Sequence, residues 1–449
     1  MSTIEKHDMT QGKILLPLVS FTIPLVLGNL FQLTYNAADS VIVGKYVGEQ
    51  ALAAVGTSTP IMNIAILLIS GMCMGASVLM SSQYGAKDYD TLSRQISTTM
   101  LAGCGFSVVF SLLMLLLANP VLRLIRVPET AIPEAAAYLR IIFMGLIFTF
   151  MYNFLANTMR ALGDSKTPLY FLVTSAFLNI FGDLFFVVVL RWGVAGSAIA
   201  TVCSEGLCCL LCGIYIKKKI PLLCLGKKWW VFDKSLLGKT VSYGSTSAMQ
   251  QVCLQLGKLI IQSVVNTQGV AVMAAFTAVN RVDDFAYTPQ QNIGHAMTTF
   301  LAQNKGAGHK ERMKKGFQTG LLIELVYSIG LFCVIWGLAP QIMTLFAEDG
   351  DAQVVSLGIS YLHLISWMYI LPGLTNGVQG FFRGIGDLKV TLYSTFMNMF
   401  GRVVAVFVMI RLLQMEFASL AWANMVGWIV MLLFEIPLLV KSLRSGECG

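Results

Sequence analysis

The chain carries little charge, few histidines and none of the common catalytic motifs. Only 12% of its 449 residues are charged, and histidine occurs 4 times. No HExxH, GxSxG or Walker A sequence is present, so the chain has none of these motifs for metal-dependent hydrolysis, acyl transfer or ATP binding. An enzyme is therefore the least supported class of function.

The cysteines give no clear metal signal either. Of the 10 cysteines, Cys208, Cys209 and Cys212 lie close together, but no histidine is near them. We interpret them as small apolar packing residues. The cysteines therefore predict no metal site, and the sequence predicts no cofactor.

Apolar residues, in contrast, are abundant. They make up 56% of the chain, and the mean hydropathy is +0.72. Such a composition would expose too much apolar surface in a soluble domain. Twelve apolar stretches are long enough to cross about 30 Å of hydrocarbon as helices: 14–42, 52–80, 95–118, 135–157, 168–190, 194–216, 238–265, 271–300, 316–338, 353–378, 388–411 and 417–440. The sequence predicts an all-α polytopic membrane protein with twelve transmembrane helices.

The net charge of +8 comes from the topology and does not indicate nucleic-acid binding. If the N-terminus is cytoplasmic, 22 of the 31 basic residues fall on the cytoplasmic side and 5 on the outer side. This bias predicts that both termini are cytoplasmic. The first apolar stretch lacks a small-residue cleavage site, so we expect no cleavable signal.

Two repeats indicate an internal duplication. SAFLNIFGD at 175–183 matches STFMNMFGR at 394–402 in five of nine positions, and Asp183 is replaced by Arg402. TMRALGDSKTPLY at 158–170 likewise matches FFRGIGDLKVTLY at 381–393. The offsets are 219 and 223 residues, a difference of about one helical turn. Duplicated membrane proteins with chemically different lobes are typical of transporters.

A basic segment separates the two halves. We predict an N-terminal six-helix lobe at 1–216, a cytoplasmic linker at 217–239 with two tryptophans, and a C-terminal six-helix lobe at 240–449. The GIGD at 384–387 resembles a GxGD protease motif, but it belongs to the repeated cytoplasmic loop. A gating or loop-packing role fits it better than catalysis.

The first lobe carries polar residues at similar predicted depth. Asn179 and Asp183 share a helix face, and Asp183 lies about 22 Å along its span. Thr201 and Asp39 are also placed toward the outer side. Two carboxylates in an apolar lobe suit proton binding and release. The alternative is structural: Asp39 caps a helix end, and Asp183 fixes packing.

The second lobe carries polar stripes on two spans. Gln251, Gln255, Lys258 and Gln262 follow a helical period, as do Asn280, Asp284, Tyr287 and Gln291. With Arg281 and Arg402 they either line a substrate cavity or form a network that holds helices together. The single acids Glu205, Glu324 and Glu435 receive no role.

Pro24 interrupts the first span and is either a static kink or a hinge.

These features resemble the multidrug and toxic compound extrusion (MATE) family over nearly the whole chain. The resemblance rests on two six-helix halves, the RALGD and RGIGD loops, and Pro24, Asp39, Asn179, Asp183 and Thr201. It implies that this polar set binds the coupling H⁺ or Na⁺ and that the first helix bends at the proline. Some sodium-linked relatives have acids on the seventh and tenth spans. In this chain the seventh span has Gln251 and Gln255 instead, and the tenth predicted span, 353–378, contains no acid.

The resemblance implies an ion-coupled antiporter in a bacterial inner membrane. We expect alternating access, export of amphipathic and cationic small molecules, contact with membrane lipids, a monomeric state and no nucleic-acid partner. The runner-up function is a flippase for a lipid or lipid-linked precursor. It would need a strongly cationic cavity, whereas Arg281 and Arg402 are offset by Asp283 and Asp284.

The basic bias makes the topology testable. In a cysteine-free variant with one cysteine introduced at position 228, a membrane-impermeant thiol reagent should label permeabilised cells and leave intact cells unlabelled. Labelling of intact cells from outside would refute the cytoplasmic placement of 217–239.

Overall fold

Every regular element that the structure describes is helical. The computed structural model describes residues 8–444 except 48, 126, 130, 221–229, 347–351, 414, 416 and 418. It describes the helical backbone, but not the side chains, at 36–41, 43, 44, 49–54, 346 and 411. The helices of the first half are α1 Leu15–Tyr46, α2 Glu49–Gly85, α3 Tyr89–Leu124, α4 Ile132–Met144, α5 Leu146–Ala161, α6 Lys166–Asp183 and α7 Gly193–Lys219.

The second half repeats this order. Its helices are α8 Lys234–Val265, α9 Val270–Gly306, α10 Lys310–Phe346, α11 Ala352–Ser366, α12 Ile370–Gly384, α13 Leu388–Val406 and α14 Ser419–Arg444. A 3₁₀ turn at Trp367–Tyr369 joins α11 to α12. Single π-helical turns follow α6 at Leu184–Val189 and α13 at Phe407–Leu412.

The predicted apolar stretches all fall on these helices. Nine described helices are long and apolar enough to cross a membrane, and α4 with α5 makes a tenth span bent by 46°. Only α8 and α9 fall short of this criterion among the predicted spans, because they carry the polar stripes. The all-α polytopic architecture is thus confirmed.

The chain folds into two compact units whose boundary lies inside helices. The first unit contains Ile23–Ala248, and the second contains Met9–Thr22 and the chain from Met249 onward. The first turns of α1 therefore pack in the second unit, and the first turns of α8 pack in the first. α7 extends to Lys219 and α8 begins at Lys234, so both ends of the predicted linker are helical. The lobe boundaries at 216 and 240 remain a prediction.

Hydrogen bonds hold the segment before α1 within the second unit. Arg312 on α10 donates to the carbonyl oxygens of Met9, Gln11 and Gly12 at 2.7–3.2 Å. Asn304 on α9 also donates to Met9, and the Met9 amide donates to Gln303. Because a guanidinium offers five donors in a fixed fork, Arg312 satisfies the carbonyl groups of three residues with one side chain.

A comparable arrangement holds the segment before α8 within the first unit. The Val231 amide donates to Ser97 Oγ at 3.1 Å, and the Asp233 amide donates to Thr98 Oγ1 at 3.0 Å. Arg94 forms an ion pair with Asp233 at 2.6 Å. The start of α3 thus anchors the segment before α8, and the start of α10 anchors the segment before α1.

The two π turns correct the alignment of the inverted pair. They begin at residues 184 and 407, and the glycines with positive φ in the preceding loops are Gly163 and Gly386. Both pairs are offset by 223 residues, so Arg402 is equivalent to Asn179, and Val406 is equivalent to Asp183. The sequence match at an offset of 219 is wrong by one helical turn in structural terms, because similar aromatic residues recur at that spacing.

Small residues allow α2 and the first turns of α8 to touch through their backbones. A Cβ built on Gly71 would lie 2.6 Å from the backbone of Ala248, and one on Gly244 would lie 2.9 Å from Met72 Cα. A Cβ on Gly75 would collide with the backbone of Tyr243 and Gly244. Such contacts replace the hydrophobic effect, which does not drive helices together in lipid.

Enlarging Gly75 should therefore weaken the first unit. We expect Gly75→Val to lower the free energy of unfolding by about 1–3 kcal/mol, because backbone atoms cannot move aside as side chains can. Thermal unfolding of the purified protein in detergent measures the change. Gly105→Val is the matched control, since nothing lies within 4 Å of a Cβ at exposed Gly105. Equal melting temperatures for the two variants would contradict the packing argument.

Candidate functional site

The polar residues of α6 lie at the end of an apolar helix in the first unit. Asn179 is 4% exposed and Asp183 is 0% exposed. Asn179 Nδ2 donates to Thr201 Oγ1 on α7 at 3.2 Å, and Thr201 Oγ1 donates to the Ser197 carbonyl at 3.1 Å. The structure thus brings Asn179 and Thr201 into contact, with Asp183 one turn further along α6.

The local winding of α6 changes at Asp183. It is the last α-helical residue before the π turn at Leu184–Val189. Single π turns are frequent at functional sites because the wider turn alters the backbone hydrogen bonds. A Cβ on Gly182 would lie 3.0 Å from Ala200 Cβ. This close approach of α6 and α7 allows the short side chains of Asn179 and Thr201 to meet.

The helix α1 packs along α6 beyond Pro24. Phe31 and Phe177 have ring centroids 6.1 Å apart, and a Cβ on Gly28 would lie 3.4 Å from Leu172 Cδ2. Pro24 is buried within α1. Asp39 lies on the same helix, but its side chain is outside the described residues. Its approach to Asp183 therefore stays a prediction.

In the second unit, the predicted cavity residues are mostly accessible. Lys258 Nζ lies 3.4 Å from Asp284 Oδ1, and their side chains are 55% and 54% exposed. Gln255 and Arg281 are exposed, while Gln251, Asn280 and Arg402 are half-buried. Among the described side chains, the Lys258–Asp284 ion pair is the polar contact within this set of seven, and an exposed ion pair contributes little stability.

The neighbouring Asp283, which the stripe pattern passed over, is the buried acid of this region. It is 3% exposed and accepts hydrogen bonds from Tyr361 at 3.0 Å and Tyr369 at 2.6 Å. Asn424 on α14 donates to the Tyr361 hydroxyl at 2.8 Å. The available sequence signal was the pair of tyrosines eight residues apart, which share one helical face in 353–378.

The repeated glycine-aspartate loops serve as helix starts. Gly163 and Gly386 both have positive φ, at 90° and 85°. Asp164 Oδ1 accepts from the amides of Lys166 and Thr167, which satisfies two donors at the start of α6. These contacts support a loop-packing role for the first of the two repeated loops, whereas Asp387, the N-cap of α13 in the second loop, makes no side-chain capping hydrogen bond. Among the described side chains, no group of three or more His, Cys, Asp or Glu could hold a metal ion.

Long apolar helices, an internal duplication and buried acids define the class as a polytopic membrane transporter. The family model described as MatE matches the chain twice, at residues 24–185 and 247–409. The chain belongs to the MatE family, whose members are transporters and not enzymes.

Individual comparisons agree with this assignment. The chain is 32% identical over 392 residues to the probable multidrug resistance protein YpnP of Bacillus subtilis, covering 87% of this chain and 86% of the relative. It also resembles an outward-facing multidrug resistance MATE transporter of the MOP superfamily, with TM-score 0.91, 21% identity and 99% coverage of both chains. A MOP superfamily transporter from Pyrococcus furiosus, described as having a binding pocket of reverse polarity, gives TM-score 0.90 at 21% identity, again with 99% coverage of both chains. The two structural matches show the fold alone.

The contrast between Asp283 and Asp284 predicts unequal effects on stability. Asp283→Ala should lower the free energy of unfolding by about 1–3 kcal/mol, because two buried tyrosine hydroxyls lose their acceptor. Asp284→Ala should change it by less than about 1 kcal/mol, because its ion pair is exposed. Thermal unfolding in detergent compares the variants. A larger loss for Asp284→Ala would show that the buried network does not stabilise the unit.

Proposed function

We propose that the protein is a secondary active antiporter that exports amphipathic, cationic compounds in exchange for H⁺ or Na⁺. The observation that carries the proposal is the fully buried Asp183, one turn from the Asn179–Thr201 contact and directly before a π turn. The similarity to a probable multidrug resistance protein of Bacillus subtilis supports the substrate class. The protein acts as a monomer in the bacterial inner membrane, with both termini cytoplasmic.

The coupling follows from the cost of a buried charge. An ionised carboxylate within a membrane span costs about 2.5–3.5 kcal/mol on insertion scales. Binding of a proton or a monovalent cation to Asp183 removes much of this cost, and Asn179 and Thr201 supply neighbouring oxygen atoms. We propose that Asp39 completes this set from α1. Ion binding and substrate binding then oppose each other, since the thermodynamic coupling between two sites is reciprocal.

Pro24 gives α1 a place to bend. It has no amide hydrogen, so the carbonyl of Ser20 lacks its usual helical donor. The division between the two compact units crosses α1 at Thr22–Ile23, next to this weakened turn. We propose that ion binding at Asp39 and Asp183 moves the part of α1 beyond Pro24. Helix-internal prolines also occur at positions 60, 120, 289, 340 and 437, so position at the boundary, and not proline alone, distinguishes Pro24.

The accessible polar surface of the second unit suits an amphipathic ligand. Gln255 and Arg281 are exposed beside the Lys258–Asp284 pair, and apolar Leu256 and Leu259 are 55% and 65% exposed. We propose that this face of α8 and α9 contributes to the substrate cavity, together with Gln251, Asn280 and Arg402. A cationic compound would pair with Asp284 if it displaced Lys258.

Neutralising Asp183 tests the coupling role. Asp183→Asn keeps the size and burial of the side chain, so the protein should fold, but it removes the titratable group. In proteoliposomes with an imposed proton or sodium gradient, we expect gradient-driven transport of ethidium to fall at least tenfold. Asp90→Asn, at an exposed acid in the first turn of α3, is the matched control and should retain transport. Full transport by Asp183→Asn would overturn the coupling role.

A further inference from the structure

Glu324 is a buried acid in the second unit that takes no part in the coupling site proposed for the first unit. It is 1% exposed, and neither of its carboxylate oxygens has a hydrogen-bond partner in the described part of the chain. It lies fourteen residues into α10, about 21 Å from the start of that helix. An unpaired carboxylate at this depth is costly, so its presence calls for a binding partner.

Polar atoms from three elements converge beside this carboxyl group. A Cβ built on Gly373 of α12 would lie 2.9 Å from Ser328 Oγ, 3.2 Å from Gln290 Nε2 and 3.4 Å from Glu324 Oε2. The absent side chain of Gly373 thus makes room for them. Ser328 is one turn beyond Glu324 on α10, and Gln290 comes from α9.

The hydrogen bonds of this cluster leave an excess of acceptors. Gln290 Nε2 donates to Ser328 Oγ at 3.1 Å and to the Tyr369 carbonyl at 2.8 Å. Ser328 Oγ in turn donates to the Glu324 carbonyl at 2.7 Å. Gln290 Oε1 is buried without a donor, as are both Glu324 oxygens. One added donor on Glu324 would reduce this imbalance, and a bound proton is such a donor.

Most charged and titratable groups on the surrounding helices are engaged elsewhere. Tyr287 on α9, whose buried hydroxyl has no hydrogen-bond partner among the described residues, packs its ring against Tyr369 and Trp428. On α10, Tyr327 donates to the Ala286 carbonyl, and on α9, Asp283 accepts from Tyr361 and Tyr369. On α11, His363 packs on the ring of Trp336 at 4.8 Å.

On α12, Arg383 donates to Gln379, and it lies ten residues past Gly373, about 15 Å along the helix. No ion pair involving Glu324 occurs among the described residues. No neighbouring cation therefore compensates an ionised Glu324.

We propose that Glu324, with Gln290, Ser328 and the Tyr369 carbonyl, forms a proton-binding site in the second unit. A proton fits this cluster better than Na⁺. A sodium ion needs several oxygen ligands at once, but Ser328 Oγ and the Tyr369 carbonyl already accept from Gln290. Protonated Glu324 needs one acceptor, and Gln290 Oε1 is the buried acceptor that lacks a donor.

Tyr369 connects this site to the second buried acid. Its carbonyl belongs to the Glu324 cluster, while its hydroxyl donates to Asp283 at 2.6 Å. It lies in the 3₁₀ turn that joins α11 to α12. Loss of the proton would disturb the contacts of this joint, which gives the second unit its own response to protons. A role of that response in transport rests on the proposed function, whereas proton occupancy does not.

Infrared spectroscopy of the purified full-length protein tests the occupancy directly. A neutral carboxylic acid has a carbonyl band that carboxylates and amides lack. The difference spectrum of wild type minus Glu324→Gln should contain one such band near neutral pH. Glu311→Gln, at an exposed acid in the first turn of the same helix, should give none. Absence of the band from the wild type minus Glu324→Gln spectrum would overturn the proposal.

A second variant and a second ion keep the test decisive. Gln290→Leu removes the acceptor, so the band should persist and move to higher frequency; an unmoved band would overturn Gln290 as the partner. Replacing choline chloride by sodium chloride should leave the band unchanged, and its loss would assign the site to Na⁺. These spectra require no transport, so the Asp183→Asn assay can fail or succeed independently of them.

Discussion

The absence of water from the hydrocarbon core is the constraint on which the rest of this structure depends. Every backbone and side-chain polar group at that depth needs a partner within the protein. In this chain, polar side chains gather where helical hydrogen bonding changes. Asp183 directly precedes a π turn. Tyr369 lies in a 3₁₀ turn, and its backbone carbonyl accepts a hydrogen bond from Gln290. The irregular turns therefore lie beside the buried polar groups of both units.

The duplication supplies two similar frameworks with different chemistry. Counted from the π turns, Asp183 has Val406 as its counterpart, and Asn179 has Arg402. The coupling acid proposed for the first unit thus has no copy at the same place in the second. The buried acids Asp283 and Glu324 of the second unit lie on α9 and α10 instead. Each unit has its own polar sites on a shared helical order.

Apolar composition and repeats were enough to predict the all-helical fold and the duplication, because these features are local along the chain. The family was identified by the resemblance of the repeated loops and of the polar residues of the first half to a known family. The register of the repeats could not be predicted in this way. Similar aromatic residues recur at an offset of 219, and they align Asp183 with Arg402, one helical turn away from the structural match. The burial of Asp283 rather than Asp284 could not be predicted from the stripe pattern either. It depends on Tyr361 and Tyr369, which approach α9 from another span. The proposed role of Glu324 depends on Gln290 of α9 and Gly373 of α12, which the fold places beside it.

The division of α1 between the two compact units bears on the proposed bend of this helix. Arg312 holds the carbonyl groups of Met9, Gln11 and Gly12, so the segment before α1 is fixed within the second unit. Pro24 lies twelve residues after Gly12, the last residue that Arg312 holds, and it removes one helical hydrogen bond. The part of α1 beyond Pro24 packs on α6 and carries Asp39. In the proposed mechanism, a change of charge at Asp183 acts on the far part of a helix whose beginning is anchored, and a bend beside Pro24 is the response that breaks the fewest contacts.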